Sequence, residues 1–209
     1  PAAALEEVRP PLCGVPKRAA NTEGGIFMSR FNTKSICRIA ILAALYVPLA
    51  VFVAIQIGNV RISFGSLPVV VSALLCGPVE AILVAGIGEF FKQLLTYGVT
   101  ATTVLYLIPP ALRGAVIGVV AIRMWKSGHR LEDRRVPYYA TCICAALVTT
   151  VGNTLVNWLD SVLYGYYSFA YVFGDFVYRA GVGVLNAAAM ATIALPLVLM
   201  LRRQKSLLS

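Results

Sequence analysis

Long apolar runs fill this chain from Ser35 to Leu201, broken by Gly, Pro and clusters of basic residues. A helix needs about 20 apolar residues to cross a bilayer. The runs predict a first span from about Ser35 to Ile57 and a short helix from Pro68 to near Gly77. A third span runs from Pro78 to about Tyr97, and a fourth from about Val104 to Trp125. The fifth covers about Tyr138 to Leu163 and the sixth about Val172 to Leu201. Between the first two helices, Val60, Ile62 and Phe64 alternate with Arg61, Ser63 and Gly65. That period of two predicts a short extended segment. It completes a crossing for which the second helix supplies only about 18 Å. The expected fold class is an all-α membrane protein, a six-transmembrane-helix bundle with that extended segment between helices 1 and 2. Pro109 and Pro110 are expected to bend the fourth span and free backbone carbonyls near Arg113.

Composition supports a membrane setting. The chain has 209 residues, of which 59% are hydrophobic and 13% charged, with a mean hydropathy of +0.79. A soluble domain carries about a quarter charged residues. The net charge of +9 does not point to nucleic acid, because the cations gather in the tails and in Arg123, Lys126, Arg130, Arg134 and Arg135. Cytoplasmic loops and tails carry such an excess, so both termini are expected in the cytoplasm. Residues 1–27 are rich in Pro, Ala, Gly and charge and lack an apolar period, and Met28-Ser29-Arg30 reads like a natural start. They are expected to be a disordered upstream extension or expression-derived material, a cytoplasmic regulatory tail being the alternative, with residues 28–209 forming the membrane domain.

Charge within the spans changes the picture most. Glu89, Lys92 and Arg113 lie at membrane depth, where charge is costly and faces a protein interior or a watery cavity. Glu89, Lys92, Gln93 and Thr96 recur at helical spacing and share one face. Asn153, Asn157, Asp160 and Tyr164 make a second polar stripe, and Asp175, Arg179, Val182 and Asn186 a third. These stripes predict a polar pocket in the outer half of the bundle. Arg61, Lys92, Arg113 and Arg179 are candidate anchors for a carboxylate or phosphate. Gln93, Asn153 and Asn157 would supply neutral hydrogen bonds, and Phe64, Tyr97, Tyr106 and Trp158 would stack on a ring. Each group also has a plainer reading. Glu89 can simply pair with Lys92, Arg113 can be a counter-ion for Glu89, and Arg61 can snorkel to the interface. The asparagines can bond between helices, and Trp158 with the nearby tyrosines can form an aromatic belt.

Other chemistry is poorly supported. The five cysteines, Cys13, Cys37, Cys76, Cys142 and Cys144, lack the two-residue gap of a zinc or redox motif. The single histidine, His129, sits in the basic loop, so no metal, Ser-His catalysis or cofactor is expected. Ala40, Ala43 and Ala44 form a small-residue patch that lets another helix, within the chain or from a partner, approach closely.

Several of these stretches together resemble the substrate-binding S components of energy-coupling-factor (ECF) vitamin transporters. The carriers are Arg38-Ile39-Ala40-Ile41-Leu42-Ala43-Ala44-Leu45, Val60-Arg61-Ile62-Ser63-Phe64-Gly65-x-Leu67-Pro68 and Gly77-Pro78. The step from Gly86 and Gly88 to Glu89 and the Arg113-Gly114 step continue the likeness, which covers roughly Lys34 to Arg203. The Arg61–Pro68 segment looks most like the folate-type members. The resemblance implies a multi-pass subunit of a bacterial plasma membrane that binds a vitamin from outside and joins a transmembrane coupling subunit and two ATPases. Ala40, Ala43 and Ala44 match the region that meets the coupling subunit. The chain has no GxxxxGK[ST] phosphate loop, so ATP hydrolysis would belong to the partners. Glu89 stands where the folate-type pattern usually has Asp, and the following loop reads Tyr97-Gly98-Val99-Thr100-Ala101-Thr102-Thr103. Another vitamin or a precursor therefore stays open beside folate. Two other classes remain from the residues alone, a non-catalytic membrane scaffold and a small intramembrane enzyme.

Overall fold

A computed structural model of the protein describes residues 33–57, 60–100, 102–174 and 176–207. The expectation for residues 1–27 lies outside the described residues, as does Asp175.

Helix α1 spans Thr33–Val51, six residues short of its expected end. The chain there turns into a hairpin of β1, Ile55–Ile57, and β2, Val60–Ile62. The strands are antiparallel, with Ile55 opposite Ile62 and Ile57 opposite Val60. The extended segment is thus a paired ribbon, in which Ile55–Ile57 pairs along one edge of Val60–Ile62. Pro48 explains the early stop. Its carbonyl accepts from both Phe52 N (2.9 Å) and Val53 N (3.3 Å), closing the last turn of α1. The chain returns against that turn at Gly65, where a Cβ would stand 2.8 Å from Ala50 Cβ.

Helix α2, Ser66–Leu75, is buried on every face from Leu67 to Leu75. A helix apolar all round belongs inside a protein, and α2 packs against α1, α3, α4 and α7. Gly77, at φ 100°, makes the turn into α3, Pro78–Tyr97. Proline suits the first turn of a helix because its missing N–H has no partner there. Gly98, at φ 76°, ends α3.

A single 3-10 turn, Leu105–Leu107, leads into α4, Ile108–Lys126. Pro109 and Pro110 occupy the first turn of α4, so they start the helix and do not bend it. The expected kink with freed carbonyls is corrected accordingly, since first-turn prolines cost no intrahelical hydrogen bond. Helix α5, Arg135–Leu163, is followed by the short α6, Phe169–Phe173, and by α7, Phe176–Leu207.

Among the described residues, four helical segments are long and apolar enough to cross a membrane: α1, α4 with its lead-in turn, α5 and α7 up to Arg203. Helix α3 matches α1 in length but carries Glu80, Glu89 and Lys92. Ile41, Phe52, Leu95, Leu155, Val177 and Leu185 project apolar surface outward, as expected of helices facing lipid. The core lies toward the basic end of the bundle, around Val70, Leu74, Ile117, Tyr138 and Met190. There the Arg202 guanidinium on α7 pairs with Glu132 at 2.8 Å and donates to the Leu74 carbonyl at 2.9 Å. Arg202 thus ties the C-terminal part of α7 to α2 and to the loop after α4.

Candidate functional site

The other end of the bundle is hollow. A cavity of about 650 Å³ opens between the C-terminal ends of α3 and α5, the start of α4 and the first half of α7. Drug-sized ligands occupy sites of about 300–1,000 Å³. Of the residues singled out from sequence, Glu89, Lys92, Gln93, Tyr97, Tyr106, Arg113, Asn153, Asn157 and Arg179 line this space.

One wall is built around Glu89, buried on α3. Its carboxylate accepts from Lys92 Nζ at 2.7 Å, Gln93 Nε2 at 3.0 Å and Tyr46 Oη at 2.6 Å. The first two donors share its helix at three- and four-residue spacing. The third comes from α1. Gly88 allows that contact, because a Cβ there would stand 2.5 Å from the Tyr46 ring. Glu89 and Lys92 do form the local ion pair, and both still face the cavity.

Arg113 enters from α4. It makes no ion pair with Glu89 among the described residues; its Nε donates to Thr149 Oγ1 at 3.1 Å. Thr149 in turn donates to the Ala145 carbonyl at 2.7 Å. The hydroxyls of Thr150 and Thr154 likewise donate back along α5, to Ala146 O and Thr150 O. Asn157 Oδ1 accepts from Tyr106 Oη at 2.8 Å, which leaves the asparagine NH2 as its donor toward the cavity. Asp160 accepts from Tyr166. Arg179 and Asn186 line the α7 side, and Asn186 Nδ2 makes a long 3.5 Å contact with Ser63 O.

Three expected residues are placed elsewhere. Phe64 packs against the apolar core, while its neighbour Ser63 lines the cavity; the strand ends at Ile62 and the chain turns at Phe64 and Gly65. Trp158 is 42% exposed and off the lining, because one helical step of about 100° separates it from Asn157. Ala43 is buried, whereas Ala40 and Ala44 are exposed on α1. The outward patch therefore loses Ala43, which helical rotation turns toward the protein. The Arg61 side chain lies outside the described residues.

Sequence reasoning missed other lining residues. Thr149 and Thr150 extend the Asn153–Asn157 stripe toward the start of α5, where carrying the same helical period back one turn finds them, and Thr154 lies within the stripe, three residues before Asn157. Tyr46 had no such signal, since its role depends on a glycine on a different helix.

The family model for the ECF-type riboflavin transporter, S component, matches residues 30–203. Among solved structures, the crystal structure of FolT bound with folic acid is similar in fold, with a TM-score of 0.51 at 22% identity. That likeness covers 78% of this chain and 94% of the other. No curated protein matches the chain. With 174 consecutive residues, 30–203, matched by one family, this chain belongs to the ECF-type riboflavin transporter S component family, the substrate-binding subunits of ECF importers.

Proposed function

We propose that this subunit captures a fused-ring vitamin with an anionic tail, folate-like in chemistry, from the external side of the membrane. The observation that carries the ligand class is the charge of the cavity lining. Lys92 is neutralised by Glu89. Among the described residues, Arg113 and Arg179 then face a single further carboxylate on the lining, Asp160, which Tyr166 already engages. The remaining positive charge favours an anion, and Arg guanidinium groups suit a carboxylate. Tyr97, Tyr106 and Tyr164 on the lining supply ring surface for the heterocycle.

The side of entry follows from charge. Arg123, Lys126, Arg130, Arg134 and Arg135 sit at the ends of α4 and α5 remote from the cavity. Positive loops stay in the cytoplasm, so the cavity opens outward. We read α2 with its hairpin and α3 as crossings too, giving six spans with both termini inside. Helix α3 is about 30 Å long; its Glu89 and Lys92 turn toward the cavity instead of lipid, and Glu80 is buried in its first turn. A transmembrane coupling subunit and two ATPases supply transport energy in this reading.

The family description favours riboflavin as a second reading. Calorimetric titration of the purified protein with folic acid and with riboflavin decides between them. Tighter folic acid binding is expected; tighter riboflavin binding would shift the assignment, and binding of neither would refute the vitamin class. Asn157→Ala should weaken binding roughly tenfold by removing one neutral hydrogen bond; unchanged affinity would take Asn157 out of the site. Ala40→Trp, on the exposed face of α1, should spare solute binding and block assembly with the coupling subunit. Recovery of the full complex at wild-type yield would contradict that contact.

A further inference from the structure

The hydrogen bonds on Glu89 dictate which way its neighbours present themselves to the solute. Lys92 lies 2.7 Å from the Glu89 carboxylate as its ion-pair partner, and an ionised carboxylate only accepts hydrogen bonds. The Gln93 group facing it at 3.0 Å is therefore the NH2, which turns the amide oxygen the other way. Tyr46 also commits its only O–H to Glu89. Two acceptors are left over, Gln93 Oε1 and the Tyr46 oxygen, together with the remaining N–H donors of Lys92. None has another partner among the described residues, and all three side chains line the cavity. Lys92 and Gln93 donate to the same oxygen, Glu89 Oε1, so ammonium and amide sit side by side.

We infer that this corner, formed by Lys92, Gln93 and Tyr46, reads the cyclic amide edge of a heterocycle. The ring N–H donates to Gln93 Oε1, and the adjacent ring C=O accepts from Lys92 Nζ. Glu89 is a positioning residue that sets this polarity through its neighbours, its carboxylate being held by the three protein donors Lys92, Gln93 and Tyr46. A carboxylate is rejected by the two acceptors here, so the anionic end of a solute points toward Arg113 and Arg179. The inference rests on the vitamin-capture reading. It holds for folic acid and riboflavin alike, because each carries a ring N–H beside a ring C=O at N3.

The test compares folic acid and riboflavin with their N3-methyl derivatives, by calorimetry on the full chain in detergent. Methylation should cost the wild type roughly tenfold to a hundredfold in affinity, because a buried acceptor loses its donor. In Gln93→Leu the parent and methylated compounds should bind within about threefold of each other, since Gln93 Oε1, the acceptor assigned to the ring N–H, is gone. Glu89→Gln frees the Gln93 amide to turn and should also narrow the ratio. If that variant does not fold, Gln93→Leu alone decides. Equal wild-type affinity for parent and methylated compound, or full discrimination retained in Gln93→Leu, overturns the subsite while vitamin capture stands. Failure of both parent vitamins to bind the wild type overturns the vitamin reading, and this subsite with it.

Discussion

Arg113→Ala is expected to lower solute affinity by roughly a hundredfold while leaving the protein folded. The expected loss is large because the arginine is charged and lines the cavity from a partly buried position. A charge-assisted hydrogen bond there contributes about 1.5–3 kcal/mol. The cost to folding should be small, since the only protein hydrogen bond of Arg113 among the described residues is to Thr149. Thr149 keeps its bond to Ala145 O when the arginine is gone. Removing a charge from membrane depth also relieves a penalty. Calorimetry and a thermal melt on the same preparation separate the two effects. Unchanged affinity would exclude Arg113 from the site, and loss of folded protein would make it a structural residue.

Gly118→Ala should have the largest effect on stability. A Cβ at Gly118 would stand 2.5 Å from Pro78 Cα and 2.6 Å from Pro78 N. Those are backbone atoms of the first turn of α3, so relief requires moving a helix. Alanine gains about 1 kcal/mol of helix propensity over glycine, and overpacking costs about 1–3 kcal/mol and sometimes more. At a backbone contact this close the clash wins. Gly86→Ala is the internal control, because nothing lies within 4 Å of its Cβ position. Its propensity gain should appear undiminished. Thermal melts in detergent should show Gly118→Ala melting well below wild type and Gly86→Ala at or above it. A stable Gly118→Ala would mean that α3 and α4 do not meet at Pro78.

Local punctuation made part of the fold legible. Gly77-Pro78 and Gly98 mark the ends of α3 within its own residues, and its start and finish match the expected ones. The polar stripe on α5 follows from helical period alone, and Asn153, Asn157, Asp160 and Tyr164 share the cavity wall as that period requires. What escaped depends on partners distant in the chain. Ile55–Ile57 reads as a continuation of an apolar helix until Val60–Ile62 pairs with it. Phe64 belongs to the core because the chain turns at Phe64 and Gly65, just past Ser63 on the cavity side. Tyr46 reaches Glu89 only because Gly88 leaves room for its ring. Apolar periodicity does not report which helix stands opposite.

The family places this chain among subunits that hold a substrate, and the 650 Å³ cavity is where we propose that a vitamin sits. Mass spectrometry of the small molecules released by denaturing the purified protein tests it most directly. The expected result is one fused-ring vitamin per chain, absent from an Arg113→Ala preparation carried through the same steps. Release of lipid alone, or of the same vitamin in equal amount from the variant, would contradict it.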